Sequence, residues 1–309
     1  MNGQTYHFIS GLPRSGSTLL AALLRQNPRF HAGISGPVGG LFHTLLGEMS
    51  ARNEFSVFLT QDHRRRILRS VLQAYHADRP TPVVFDTHRS WCTRLPLLAD
   101  LYPDSKVIAC VRDVSWIMDS LERLIRHNHL QPSSIFNYQP GGTVYTRING
   151  LAAPDGMVGY AYDALKEAYF GAQAANRLIL VTYESLVQDP QAVLKALYQS
   201  LGEPWFAHDF EHLAFDADAF DTKAGTPGLH QIHPKVVMPQ RQTILPPDLF
   251  QRFANDAFWT NKALEAVWKI AWQGFCGVVG CDSSSGCGQS RAVGGWPRSP
   301  GRPSAIRRT

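Results

Sequence analysis

The chain has no apolar run approaching the roughly 20 residues that a bilayer-spanning helix needs. No basic segment followed by an apolar core opens it, so no secretory signal is expected and the cytoplasm is the expected location. Cysteine is scarce. Cys92 and Cys110 lie in the body, and Cys276, Cys281 and Cys287 crowd the end in no zinc-ligand spacing. No disulfide scaffold and no metal site is therefore expected, and the two body cysteines read as small core residues. An excess of basic charge is also missing from the body. Most of the net charge of +5 comes from Arg291, Arg298, Arg302, Arg307 and Arg308, set against Asp282 alone; without residues 275–309 the balance is 25 basic to 24 acidic. A nucleic-acid partner is not expected, only a local basic pocket.

What is present is enough chain, 309 residues with 44% hydrophobic content, to bury a large core. Short apolar strand-like runs at Tyr6–Ser10, Pro82–Asp86, Ser105–Val111 and Arg177–Thr182 alternate with helix-like runs. The helical patterns cover Thr18–Gln26, Leu41–Ala51, Asp62–Ala77, Trp91–Leu101, Val114–Asn128, Met157–Asn176 and Pro190–Leu201. Such alternation predicts an α/β fold, a parallel sheet flanked by helices, with ligands at the carboxyl ends of the strands. Two segments break the alternation: Gln131–Gly156, with Tyr138 and Tyr145, reads as a long loop, either a lid or a disordered insert, and His208–Gln242 reads as a covering segment. Residues 1–272 are expected to form one domain. Residues 273–309, rich in Gly, Ser, Pro and Arg, read as a disordered tail and an out-of-frame or read-through extension.

Chemistry concentrates at strand ends. Gly11-Leu12-Pro13-Arg14-Ser15-Gly16-Ser17-Thr18 joins the first strand to a leucine-rich helix. Loop amides and a helix N-terminus in that arrangement converge on an anion. The glycine spacing is that of a nucleoside-triphosphate loop, but Ser17 stands where such loops carry lysine, and Arg14 sits three residues earlier. The spacing therefore predicts a phosphate cradle without the usual ATP chemistry. At the end of another strand comes Arg112, followed by Asp113 as a helix N-cap; Ser120 then reads as the one polar residue on that helix's inward stripe.

Together these motifs resemble those of sulfotransferases that use 3′-phosphoadenosine 5′-phosphosulfate (PAPS). Gly11–Thr18 is similar to the loop that binds the 5′-phosphosulfate, closest to the form in tyrosylprotein and carbohydrate sulfotransferases, and Arg112-Asp113…Ser120 resembles their 3′-phosphate site. The resemblance spans about residues 5–260 and implies a P-loop-type sulfotransferase fold with PAPS as sulfuryl donor. It implies donor contacts from Arg14, Ser15, Gly16, Ser17, Thr18, Arg112 and Ser120, with Tyr183 and Lys235 as further contacts.

The implied acceptor is a hydroxyl on a peptide tyrosine, a carbohydrate or a small phenol, and a second copy of the chain is a candidate partner. The position where tyrosylprotein enzymes carry a basic glutamate holds Ser35. Cytosolic relatives place a histidine base in a Lys-Thr-His run, and Asp86-Thr87-His88 is similar to it, with Asp86 replacing the lysine. His88 is thus the expected base with Asp86 orienting it or acting as its rival, and Arg14, Arg89 or Arg94 would take over the missing lysine's charge. His63-Arg64-Arg65-Arg66 reads as a solvated helix face. A P-loop small-molecule kinase and a PAPS-binding protein without turnover are the competing readings.

Overall fold

Hydrophobic strands separated by helices assemble here into one five-stranded sheet, every neighbouring pair parallel. The computed structural model describes residues 3–131, 133, 142–171 and 177–260; Tyr138 and residues 261–309, the expected tail included, lie outside them. The strands are β1 (Thr5–Gly11), β2 (Phe30–Ala32), β3 (Val83–Thr87), β4 (Val107–Val111) and β5 (Leu178–Thr182). Their spatial order is β2-β3-β1-β4-β5. β1 is central, and after β3 the chain crosses it to lay β4 on its other side. This reversal opens a crevice beyond the carboxyl end of β1.

The helices are α1 (Ser17–Leu24), α2 (Val38–Glu48), α3 (Gln61–Tyr75), α4 (Leu95–Leu101), α5 (Val114–His127), α6 (Val144–Ala152), α7 (Met157–Phe170), α8 (Tyr183–Gln188), α9 (Pro190–Leu201), α10 (Asp218–Lys223) and α11 (Pro247–Phe253). On one face of the sheet, Ile9, Phe85 and Ile108 pack against Leu20 and Leu23 of α1, Leu186 of α8 and Leu194 of α9. On the other, Phe8 lies 4.9 Å from the fully buried Trp91, which meets Phe42 of α2 edge-on. Full burial of such a side chain contributes about 1.5–3 kcal/mol. Cys92 and Cys110 are buried free thiols, pushed up by burial to about 11 and about 12, and so chemically quiet.

Several boundaries differ from expectation for local reasons. The run Trp91–Leu101 is not one helix: residues Arg89–Arg94 form a 3-10 turn, and α4 begins beside Pro96. Helix α6 occupies part of the stretch read as a long loop, capped by the Thr143 hydroxyl. Ser120 is not the one inward polar residue of α5, because Asp119 and Glu122 are also fully buried. Glu122 pairs with Arg126 and Arg147, and Asp119 with Arg123 and Arg241. In the basic stretch of α3, Arg64 is not solvated; its guanidinium donates to the carbonyls of Met49, Ser56 and Leu59. Among the described residues, no helix is long and apolar enough to cross a membrane.

Candidate functional site

The residues following β1, β3, β4 and β5 line one cleft at the carboxyl edge of the sheet, and residues 229–241 supply its facing wall. The loop after β1 owes its shape to its two glycines. Gly11 sits at φ +96°, with a built Cβ only 2.2 Å from the carbonyl oxygen of Cys110 in β4. Gly16 sits at φ +92°, and its Cβ would approach the Tyr183 ring to 2.9 Å. Between them Arg14 holds φ +55°, the one non-glycine residue in that region among those described. Such a backbone costs about 1–2 kcal/mol and is kept only where the surroundings impose it.

Ser17 and Thr18 form the first turn of α1 and line the cleft. No side chain caps this turn and no acid occupies it, so its N–H groups and partial positive charge are open to an anion. Ser15 does not face the cleft. It is 1% exposed, and its hydroxyl is held between the carbonyls of Leu12 (2.5 Å) and Cys110 (2.9 Å). Its side chain braces the loop, so a ligand contact at this position falls to the backbone amide.

The cleft brings the two separate motifs together. Nε of Arg14 donates to the hydroxyl of Ser120 at 3.1 Å, and Nη1 of Arg112 donates to the carbonyl of Arg14 at 3.3 Å. The Arg112 guanidinium stacks 4.1 Å above the centre of the Tyr183 ring. Its Nε is buried with no partner, as is Nε of Arg241 on the facing wall. Arg241 is held by Asp119 at 3.0 Å, and the same carboxylate accepts the Thr243 hydroxyl and the Ile244 amide, which pins this part of the wall to α5. Sequence reasoning missed Arg241, since a lone arginine in an aperiodic segment carries no signal. Lys235 lines the cleft from an exposed position on the same wall.

Arg14, Arg89, Arg112, Lys235 and Arg241 thus line the cleft, and among the described residues no carboxylate does. Burial, then the nearby charges of Arg112 and Arg241, bring Arg14 down to about 10. Burial also lowers Arg89, Arg112 and Arg241. The lowered guanidinium pKa values and the unpartnered Nε–H groups of Arg112 and Arg241 mark a concentration of positive charge that no neighbouring acid of the lining offsets.

The expected acid–base pair is not assembled. Asp86 is buried away from the cleft, accepting Nε1–H of Trp91 at 2.9 Å and pairing with Nε2 of His76 at 3.0 Å. It neither orients His88 nor reaches the cleft, because both oxygens satisfy polar groups beneath the sheet. His88 does line the cleft. Its Nδ1 lies 2.7 Å from the Ser90 hydroxyl and accepts the Ser90 amide at 3.2 Å, capping the 3-10 turn. Burial holds its pKa below the usual histidine value. Arg89 lines the cleft and Arg94 does not. Tyr145 is bonded to Asp248 at 3.1 Å outside the cleft lining.

Two further histidines, His230 and His233, unmarked by any sequence motif, enter from the wall. His230 lines the cleft, and its Nδ1 lies 2.6 Å from Oδ1 of the buried Asp221. The adjacent Leu229 carbonyl accepts Nη1 of Arg14.

The model of the sulfotransferase family matches residues 7–207, a span that holds the glycine loop, Arg112, Ser120 and Tyr183 but not the wall. No curated protein matches the chain. Solved structures with a similar course of chain include a sulfotransferase from Alicyclobacillus acidocaldarius, 15% identical, covering 87% of this chain and 98% of that one, with a TM-score of 0.48. Mouse sulfotransferase SULT7A1, complexed with PAP, is 13% identical, with 89% of each chain covered and a TM-score of 0.48. The sulfotransferase domain from the curacin biosynthetic pathway is 17% identical, covering 82% of this chain and 96% of that one, with a TM-score of 0.47.

Proposed function

The chain belongs to the sulfotransferase family, and we propose that it transfers a sulfuryl group from PAPS to a hydroxyl acceptor, a peptide tyrosine or a carbohydrate being the foremost candidates. The observation that carries this reading is the cleft lining of five cations and no carboxylate. PAPS is anionic at both ends. A magnesium–nucleotide site would need a carboxylate to hold the ion. The loop amides, the α1 N-terminus, Arg14, Ser17 and Thr18 fit the 5′-phosphosulfate, where negative charge grows on the departing phosphate. Arg112, stacked on Tyr183, fits the 3′-phosphate together with Ser120 and Arg241, and Lys235 adds charge at the rim. His88 offers the transferring group a hydrogen bond: with Nδ1 accepting from Ser90, the proton of the neutral ring sits on Nε2.

Titration calorimetry with adenosine 3′,5′-bisphosphate and, separately, with ATP and magnesium tests the reading. Two charge-assisted bonds to a 3′-phosphate are together worth about 3–6 kcal/mol. The bisphosphate is therefore expected to bind at least ~10²-fold more tightly than ATP. Equal or tighter binding of ATP would favour the kinase alternative and overturn the proposal.

A further inference from the structure

The transfer needs a group that takes the acceptor's proton. Ser35 lines the cleft but is no base, Asp86 is buried elsewhere, and His88, the expected base, accepts the Ser90 amide at Nδ1 and so carries its proton on Nε2. We infer that His230, oriented by Asp221, is the catalytic base toward the acceptor hydroxyl; this rests on the sulfuryl-transfer reading above.

The hydrogen-bond partners of His88 and His230 set opposite tautomers, whereas the third histidine of the lining, His233, is exposed and no carboxylate orients it among the described residues. Nδ1 of His88 receives an amide N–H and so is unprotonated, which leaves Nε2 a donor. Nδ1 of His230 faces a carboxylate at 2.6 Å, so it carries the proton and Nε2 keeps its lone pair. Asp221 is dedicated to this task. It is 1% exposed, its second oxygen accepts the His230 amide at 2.8 Å, and it makes no Lys or Arg ion pair among the described residues. Nε2 of His230 has no partner among the described residues, and the ring belongs to the cleft lining. The bond from Arg14 to Leu229 ties the histidine to the loop that holds the 5′-phosphosulfate. Burial and the charges of Arg14 and Arg89 outweigh Asp221 and keep the ring neutral near pH 7, as a base must be.

The step balances as follows. Nε2 takes the acceptor's proton while an oxygen lone pair of that hydroxyl forms the bond to sulfur. The bond between sulfur and the 5′-phosphate oxygen breaks, and its electron pair leaves on adenosine 3′,5′-bisphosphate. Asp221 stabilises the imidazolium until its proton passes to water.

The test uses the full chain, radiolabelled PAPS and three acceptors: 2-naphthol, an acidic tyrosine peptide and an oligosaccharide. His230→Gln is expected to bind the bisphosphate within about threefold of wild type yet lose ~10²–10⁴-fold in turnover. Added imidazole should restore part of the turnover of His230→Gly, which a structural role would not allow. Asp221→Asn should lower kcat with little change in the KM for PAPS, marking a positioning residue. Wild-type turnover in His230→Gln, or no imidazole rescue, overturns the dyad while sulfuryl transfer stands. Wild-type protein that transfers sulfuryl to none of the three overturns the reading beneath it.

Discussion

Replacing Arg112 with methionine should separate binding from stability. On the binding side, the proposed grip on the 3′-phosphate loses two charge-assisted bonds, and affinity for adenosine 3′,5′-bisphosphate should fall by ~10²–10⁴-fold. On the stability side the terms oppose. The stacking on Tyr183 at 4.1 Å is lost, a cost of about 0.5–2 kcal/mol. Against this, Arg14 titrates at about 10 in place of 12.5, with burial the first cause and Arg112 the second. That difference equals about 3 kcal/mol of disfavoured charge. The native state holds this proton more weakly than the unfolded chain. The cost is therefore fully present at neutral pH and is relieved only as pH rises from about 10 toward 12.5. Removing Arg112 relieves part of it at once. The unliganded midpoint should therefore stay within about 4 °C of wild type. With bisphosphate at 100 times the wild-type Kd, wild type gains about 2.7 kcal/mol and the variant under about 0.5 kcal/mol. Thermal denaturation with and without ligand reads both quantities. A variant that melts far lower while binding normally would make Arg112 a scaffold residue and refute the reasoning.

Three further outcomes follow from the same geometry. Gly16→Ala forces a Cβ onto a left-handed backbone and into Tyr183 at 2.9 Å, so it should cost at least about 1–2 kcal/mol by denaturant unfolding and also weaken bisphosphate binding. Buried His7 and half-buried His31 are each brought down to about 4, chiefly by burial. The unfolded chain binds their protons near 6.5, so stability should be level above that pH and fall as pH drops from 6.5 to 4, by about 3 kcal/mol for His7 alone, measured by urea unfolding across that range. A chain ending at Trp272 should keep full transfer activity, checked by the radiolabel assay.

The central strands and the glycine loop at the end of β1 were legible because local chemistry dictates them. Apolar runs mark β1, β3, β4 and β5, and the loop's positive φ calls for glycine at 11 and 16, with the Cys110 backbone crowding the first and the Tyr183 ring the second. β2 has only Phe30, His31 and Ala32, too short and too polar for any period to show. The helical pattern begins at Leu41, whereas α2 begins at Val38 and takes in Gly39-Gly40, which are poor helix formers. Gly39 is helical nonetheless, because the His88 ring packs where its side chain would be, with a built Cβ only 2.3 Å from Nδ1. That is a tertiary demand with no local signature.

The pairing of Asp86 with His88 was misread for a related reason. Residue type at a strand end says that a histidine reaches the cleft; it does not say which nitrogen bears the proton. The tautomer of His88 is set by Ser90 and that of His230 by Asp221, and of these two cleft-lining rings only the second keeps an unprotonated Nε2. The residue with the familiar spacing therefore donates, and the base comes from an aperiodic wall that the family match at residues 7–207 does not reach. If this is correct, His88→Gln, which retains an N–H donor, should lose less turnover than His230→Gln, which retains no base; the reverse order would return the base to the strand end.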